Sequence, residues 1–148
     1  MTARDIMTTN PFTLSPDCSV GQAIRKFRDT KFQAFPVVDA DGVLVGTLNI
    51  WRVLRHVLPP YIVSGDLPDV RFAPDLERFH GRLAKMQDDP VSTIMNRNPP
   101  VAKPDDSVLG CATIMLNALK TVHLLPVVDE SRHLLGIIAP WDLIKEGM

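Results

Sequence analysis

Pro36-Val37-Val38-Asp39 recurs as Pro126-Val127-Val128-Asp129, and each copy is followed by a short polar turn, an apolar run with a glycine, and a tryptophan. The match continues upstream, where Ile6-Met7 and Asn10-Pro11 align with Ile94-Met95 and Asn98-Pro99. Self-similarity at a fixed spacing is typical of an internal repeat. The sequence therefore predicts two copies of one unit, residues 1–58 and 91–148, joined by a segment at 59–90.

The spacing between the copies changes along the chain. Met7 and Met95 are 88 residues apart, whereas Asp39 and Asp129 are 90 residues apart. The second copy has therefore gained two residues, and we expect them near Leu119 to Val122, where a helix gives way to a strand.

Each unit is predicted to contain a strand, a helix, two strands and a final helix. In the first unit, Ser19 and Gln22 form a capping-box pattern ahead of an apolar stripe at helical spacing. Gly42 lies in the turn between two short apolar strands, where a positive φ is favourable. In the second unit, Ser107 is the matching cap, and Pro140 stands at the first position of the last helix. The fold class is α+β.

Composition limits the range of functions. The 148 residues are 45% hydrophobic, which is enough to bury the core of one domain. The net charge is −1, so there is no reason to expect nucleic acid or an anionic membrane as a partner. Units of under about 60 residues are marginal alone, so we expect the two to share a core. No secretory signal or membrane span is visible, and a cytoplasmic location is the expectation.

The segment at 59–90 has no counterpart inside either unit. Pro74 to Met86 has helical spacing of apolar residues, with charges around them. We expect an inserted helix that packs on its own module or on a symmetry mate.

Signals for catalysis are weak. There is no phosphate-cradling glycine loop and no arrangement of serine, cysteine or histidine that suggests a nucleophile. His56, His80 and His133 do not have the spacing of metal ligands, so no metal site is expected. The prediction is that the chain is not an enzyme.

The ordered features, and their duplication, resemble the CBS domain family in its tandem form, the Bateman module. The features that carry the resemblance are Ile6-Met7-Thr8 with Pro11, the capped helices after Pro16-Asp17 and Pro104-Asp105, the two Pro-Val-Val-Asp strands, and the turn into the last helix, which runs from a glycine to a tryptophan five residues later. The resemblance implies two βαββα repeats related by pseudo-twofold symmetry, with two clefts between their sheets. It also implies adenosine-type ligands, such as AMP, ADP, ATP or S-adenosylmethionine, as regulators rather than required cofactors. Such modules commonly form disc-like homodimers.

In this family an acidic residue at the start of the last helix often holds a ligand's ribose. A carboxylate can accept hydrogen bonds from two adjacent hydroxyls, and the helix N-terminus tolerates its charge. The second repeat keeps this aspartate as Asp142 and has Ala139 in place of the usual hydroxyl residue. The resemblance then implies a first cleft lined by Ala139, Pro140, Asp142, Phe12, Thr13, Gln33, Ala34, Phe35 and Pro36.

The first repeat departs from the pattern, with Asn49 at the hydroxyl position and Arg52 at the aspartate position. The resemblance implies a second cleft formed by Asn49, Arg52, Pro100, Val101, His123, Leu124 and Pro126. Arg52 and His123 are candidates for holding phosphate, or Arg52 fills the pocket and pairs with an acid. Asp142 and His123 are equally explained as structural residues without a ligand.

Two functions are left open. The first is a regulatory module that binds an adenosine-containing nucleotide and signals to a separate, unknown effector protein. The second is a structural or interaction module whose clefts have lost the ability to bind.

Overall fold

The structure, a computed structural model, describes residues 1–58, 76–117 and 123–146. In chain order its elements are α1 (Ala3–Ile6), α2 (Val20–Thr30), β1 (Ala34–Val38), β2 (Leu44–Asn49), α3 (Ile50–Val57), α4 (Leu76–Met86), a 3₁₀ helix (Val91–Thr93), α5 (Val108–Asn117), β3 (Leu125–Val128), β4 (Leu134–Ile138) and α6 (Pro140–Lys145). The mixed α+β class and the repeated order of elements are confirmed. The expected two-residue insertion and the start of the inserted helix at Pro74 lie outside the described residues.

The helix caps follow the sequence signals. Ser19 Oγ accepts from the Gln22 N–H at 3.1 Å, and Gln22 Oε1 accepts from the Ser19 N–H at 2.9 Å, which completes the predicted capping box. Ser107 Oγ accepts from the Gly110 N–H at 2.9 Å in the second repeat. Pro140 occupies the first turn of α6, where its missing donor costs nothing.

Two antiparallel hairpins form the sheets. β1 pairs with β2 and β3 pairs with β4, and each pair has a register shift just before its aspartate. Gly42 adopts φ 82° at the first turn, as predicted, and Arg132 adopts φ 66° at the equivalent turn of the second hairpin. Asp39 Oδ1 and Asp129 Oδ1 each accept two backbone N–H groups inside their turns, so these acids organise the hairpins.

The predicted first strand of each repeat is shorter than expected. Phe12 to Leu14 contributes one parallel bridge, from Leu14 to Val37, and Ala102 makes the matching bridge to Val127. A proline-containing approach to each bridge limits pairing, because Pro11 and Pro100 have no N–H to donate to a ladder.

The repeats exchange their leading segments. Ala3 and Ile6 of α1 are buried with Cys111 and Leu125 of the second repeat. In return, the segment at 91–95 is buried against α2 and α3 of the first repeat. The expectation of one shared core is therefore wrong: the described residues form two apolar clusters, and each is completed by a segment from the other repeat.

Backbone pairing reinforces this exchange. Thr8 pairs with Ile137 through N···O distances of 2.8 and 3.0 Å, and Asn96 pairs with Thr47 through distances of 2.8 and 3.0 Å. The turns of the two hairpins also meet, where Val43 and His133 form a bridge. Neither repeat would retain its core if it were separated from the other.

α4 belongs to the first repeat. Phe79 and Leu83 pack against the first apolar cluster, Met86 is buried in it, and the helix contacts α3. This agrees with the expectation that the inserted helix packs on its own module.

Candidate functional site

One segment crosses between the two sheets on each side of the module. Thr8 is paired with β4, while the Leu14 N–H donates to Pro36 O at 2.9 Å on β1. Residues 9–13 therefore pass from the second repeat's sheet to the first repeat's sheet. We call the region between this segment, the start of β1 and the start of α6 the first cleft. The predicted residues Phe12, Thr13, Gln33 and Ala139 belong to the segments that bound this region, and their grouping into one cleft stays a prediction.

Asp142, in the first turn of α6, is a buried carboxylate with 8% of the residue exposed. Its Oδ2 accepts from the Ala139 N–H at 2.8 Å, which caps the start of α6, and its Oδ1 lies 3.2 Å from Lys145 Nζ. An ionised carboxylate has about four acceptor positions, so these two contacts leave room for further donors. Asp142 is thus a structural cap that retains capacity to accept from a ligand.

Ala139 has no side-chain acceptor, so the start of α6 is capped differently from the start of α3. At the equivalent position of the first repeat, Asn49 Oδ1 accepts from the Arg52 N–H at 2.7 Å. In the second repeat the roles are reversed: the later residue, Asp142, supplies the side-chain acceptor, and the earlier residue, Ala139, donates its backbone N–H. Lys145 was not predicted as a site residue, although a lysine three residues after an aspartate in a helix is a signal for such a pair.

An aromatic pair stands on the first repeat's side of the first cleft. The rings of Phe12 and Phe32 are 5.9 Å apart between centroids, and the two residues are 56% and 50% exposed. Lys26 Nζ lies 5.6 Å from the Phe12 ring centroid and donates to Thr13 O at 2.8 Å. Lys26 therefore fixes both residues of the crossing segment. The sequence interpretation missed Phe32 and Lys26; a sequence signal for Phe32 was an aromatic residue directly before Gln33.

Phe35 and Pro36 are placed differently from a ligand-facing pair. Phe35 is 1% exposed in the first apolar cluster, and Pro36 O already accepts from Leu14. The side chains of Phe35 and Pro36 are buried, so they support this side of the first cleft without being accessible to a ligand. Gln33 is exposed and Ala34 is half-buried, so these two remain accessible.

The second cleft is bounded in the same way by residues 97–101. Asn96 is paired with β2, and the Ala102 N–H donates to Pro126 O at 2.9 Å on β3. Leu124 and Pro126 are buried, while Pro100 and Val101 are half-buried. His123 Nε2 is buried and has no hydrogen-bond partner among the described atoms.

Arg52 is engaged by the backbone of the other repeat. Its Nε donates to Ile94 O, and no acid pairs with it in the described part of the chain. Burial lowers the pKa of the Arg52 guanidinium, and the nearby charge of Arg55 lowers it further. Of the two alternatives for Arg52, pairing with an acid is not seen among the described residues; Arg52 instead donates to a carbonyl and holds the segment at 91–95 in place, and its role as a phosphate ligand stays a prediction.

A groove of about 510 Å³ lies elsewhere on the first repeat. It is lined by Thr13, Leu14, Ser15, Pro16, Asp17, Val38, Asp39 and Ala40. It shares only Thr13 with the predicted first cleft, because it follows the far end of β1.

Two features are absent from the part of the chain that the structure describes. In these ranges no three histidine, cysteine, aspartate or glutamate side chains converge in a way that would hold a metal ion. No helix within them has the length and apolar character needed to cross a bilayer.

Comparison with known proteins gives consistent matches over the whole chain. A family model described as the CBS domain matches residues 3–59 and 91–148. An uncharacterized Methanocaldococcus jannaschii protein, MJ1426, is 31% identical over 98% of this chain and 90% of its own length. The solved structure of CBSX2, an Arabidopsis thaliana protein, in complex with AMP is similar in fold, with a TM-score of 0.73, 21% identity, and coverage of 99% of this chain and 95% of that one.

A third match is to part of a larger protein. The homoserine O-acetyltransferase of Methanocorpusculum labreanum is 28% identical over 93% of this chain, which spans 22% of that enzyme.

Proposed function

The chain belongs to the CBS domain family as a tandem pair, and from that premise we propose that it is a regulatory module that binds an adenosine-containing nucleotide in the first cleft. The observation that carries this proposal is Asp142, a buried carboxylate in the first turn of α6, the helix that follows the strand with which Thr8 pairs. Two neighbouring ribose hydroxyls are well matched to such a carboxylate. The AMP complex of CBSX2, which has the same fold, supports an adenosine nucleotide as the ligand class.

We also propose that Lys145 contacts the phosphate of the ligand in the same cleft. Its ammonium lies 3.2 Å from Asp142 Oδ1, and its side chain is 47% exposed. A ribose that takes over this oxygen would free Lys145 to approach the ligand's phosphate. AMP, ADP and ATP are then favoured over S-adenosylmethionine, because the last has no phosphate.

Binding would be transmitted through the crossing segment. Residues 9–13 connect the two sheets, and α1, which precedes them, completes the second repeat's core. A ligand that favours one arrangement of this segment shifts the balance between arrangements by the difference in its affinity for them. We propose that the output passes to a separate effector protein, that the module works as a homodimer, and that it has no catalytic activity of its own.

Calorimetric titration with AMP, ADP, ATP and S-adenosylmethionine tests this proposal. Asp142→Asn keeps an oxygen that can cap the Ala139 N–H but removes the charge, so the variant should fold. We expect AMP affinity to fall about 10- to 100-fold, since hydrogen bonds to charged groups contribute roughly 1.5–3 kcal/mol. Asp105→Asn is the matched control, because Asp105 is a 90% exposed carboxylate paired with Arg4 and should not affect binding. Equal affinity in the parent and Asp142→Asn would remove Asp142 from the site.

A second function, a structural or interaction module, is favoured by one observation. Asp142 and Arg52 each already have partners within the chain, so both clefts are explained without a ligand. Failure of all four compounds to bind, together with recovery of one stable partner regardless of nucleotide, would support this function instead.

A further inference from the structure

The groove on the first repeat lies between two walls that the backbone joins. One wall runs from Thr13 to Asp17, and the other is the end of β1 with the two residues after it. Leu14 bonds to β1 through two N···O distances of 2.9 Å, one in each direction. Pro16 and Val38 line the groove as half-buried side chains. The volume of about 510 Å³ is within the range of small-molecule sites, and the lining combines apolar and polar groups.

The second repeat contains the same two walls, but a lysine closes the space between them. Ala102 bonds to β3 through N···O distances of 2.9 and 3.0 Å, as Leu14 bonds to β1. Ser15 of the first repeat corresponds to Lys103. Lys103 Nζ donates to Asp129 O at 3.2 Å, so its side chain spans the two walls. The groove of the first repeat is therefore open at the place where this ammonium lies in the second repeat.

The carbonyl that binds this ammonium is present in both repeats. Asp129 O accepts from the Arg132 N–H at 3.0 Å as well as from the lysine, which uses both of its lone pairs. Its counterpart, Asp39 O, accepts from the Gly42 N–H at 3.1 Å. Among the described hydrogen bonds, none joins Ser15 to this oxygen. Asp39 O therefore keeps a lone pair for a further donor.

A carboxylate at the other wall shows the same contrast. Asp105 Oδ1, in the second repeat, lies 3.4 Å from Arg4 Nη2. Asp17 is the counterpart of Asp105, and Ser92 is the counterpart of Arg4, because each bonds through its N–H to the proline before its aspartate. Within the described residues no ion pair joins Asp17 or Asp39 to a cation. The first repeat has thus kept the acceptors and replaced two cationic residues by serine.

We propose that this groove binds a small linear polyamine, whose ammonium groups take the places that the lysine and the arginine occupy in the second repeat. One ammonium donates to Asp39 O, and another pairs with the Asp17 carboxylate. The methylene groups between them lie against Pro16 and Val38, as the stems of lysine side chains commonly lie on apolar surface. Asp17 is exposed and Asp39 is half-buried, so the affinity is modest and falls as salt is added.

A divalent metal ion fits the groove less well than ammonium groups do. Ca²⁺ takes roughly six to eight oxygen ligands. The groove supplies two carboxylates, and in the described chain no three acidic, histidine or cysteine side chains converge to hold a metal ion. Lys26 contacts the lining at Thr13 O, four residues before Asp17, and its ammonium also lies over the Phe12 ring. The acidic end of the groove is thus the end without a described cation.

Calorimetric titration of the full chain with putrescine, a four-carbon diamine, at low ionic strength and without nucleotide tests this site independently of the first cleft. The parent should bind one diamine per chain, and n-butylamine, which has one ammonium, should bind more weakly. Ser15→Lys should abolish binding, because it supplies the ammonium that the second repeat carries at this place, and the fold of that repeat accommodates Lys103. Asp17→Asn should weaken binding by up to about five-fold. Asp105→Asn, the matched change in the second repeat, should leave binding unchanged.

The reverse exchange tests the same reasoning by a gain of binding. Arg4→Ser combined with Lys103→Ser gives the second repeat the serines of the first, and each change removes one described side-chain contact. The number of putrescine molecules bound per chain should rise from one to two. No binding by the parent at millimolar putrescine, equal binding by Ser15→Lys, or displacement by equimolar magnesium chloride would overturn the proposal. A stoichiometry that stays at one in the double variant would contradict it as well.

Discussion

Gly136→Ala is expected to loosen the junction between the repeats. A Cβ at this position would lie 2.7 Å from Met7 Sδ and 2.8 Å from Thr8 O. The methionine side chain can move, but Thr8 O cannot move without loss of its pairing with Ile137. The substitution therefore acts on the backbone contact through which the first repeat's leading segment holds the second repeat.

The size of the effect follows from two contributions. Overpacking a filled site costs about 1–3 kcal/mol. Loss of the two hydrogen bonds between Thr8 and Ile137 costs about 0.5–1.5 kcal/mol each. The free energy of unfolding should fall by roughly 2–6 kcal/mol, which for a chain of this size lowers the Tm by about 6 to 18 °C.

Urea and thermal unfolding followed by circular dichroism would measure this change. Gly46→Ala should behave alike, since its Cβ would lie 2.7 Å from Asn96 O at the equivalent junction. Gly81→Ala in α4 is the control, because nothing lies within 4 Å of its added Cβ. It should stabilise the chain by about 0.5–1 kcal/mol through helix propensity. A Gly136→Ala variant within about 0.5 kcal/mol of the parent would refute the reasoning.

Three further predictions concern the first cleft and the hairpin turn. Lys145→Met, which removes the partner of Asp142 Oδ1, should weaken AMP binding several-fold while leaving adenosine binding unchanged or tighter by calorimetry; an equal loss for both would separate Lys145 from the phosphate. Lys26→Met, which removes the contacts to Phe12 and Thr13 O, should weaken AMP binding several-fold and lower the free energy of unfolding by about 1 kcal/mol; unchanged binding would show that the crossing segment needs no such support. The hydrogen bond from the His133 N–H lowers the pKa of the Asp129 carboxyl in the folded protein. The stability that this carboxylate contributes is therefore present above its unfolded-state pKa and is lost as pH falls through its folded-state pKa. Below about pH 4 the Tm of the parent should therefore fall more steeply than that of Asp129→Asn, and parallel curves would contradict this.

Local features were predictable because neighbouring residues determine them. The capping box of Ser19 and Gln22 and the positive φ of Gly42 depend only on a few adjacent side chains. Duplication of these signals was enough to predict a pair of similar units. The first strand was overestimated, because a strand's length depends on which partner edge it meets.

The exchange of leading segments could not be predicted from periodicity. The apolar residues Ala3 and Ile6 indicate that α1 has a buried face, but this pattern is equally compatible with packing on the first or the second repeat. Only long-range contacts determine on which repeat α1 packs. The roles of Asp142 and Arg52 were similarly underdetermined, since their intramolecular partners Ala139 and Ile94 are backbone groups that no side-chain pattern reveals.

A calorimetric cycle with AMP and 2′-deoxy-AMP, measured on the parent and on Asp142→Asn, tests nucleotide binding at the buried carboxylate most directly. If Asp142 accepts from the ribose hydroxyls, the parent should prefer AMP by about 10- to 100-fold, and the preference should fall to a few-fold in the variant. The same preference in both proteins, or none in the parent, would contradict the account.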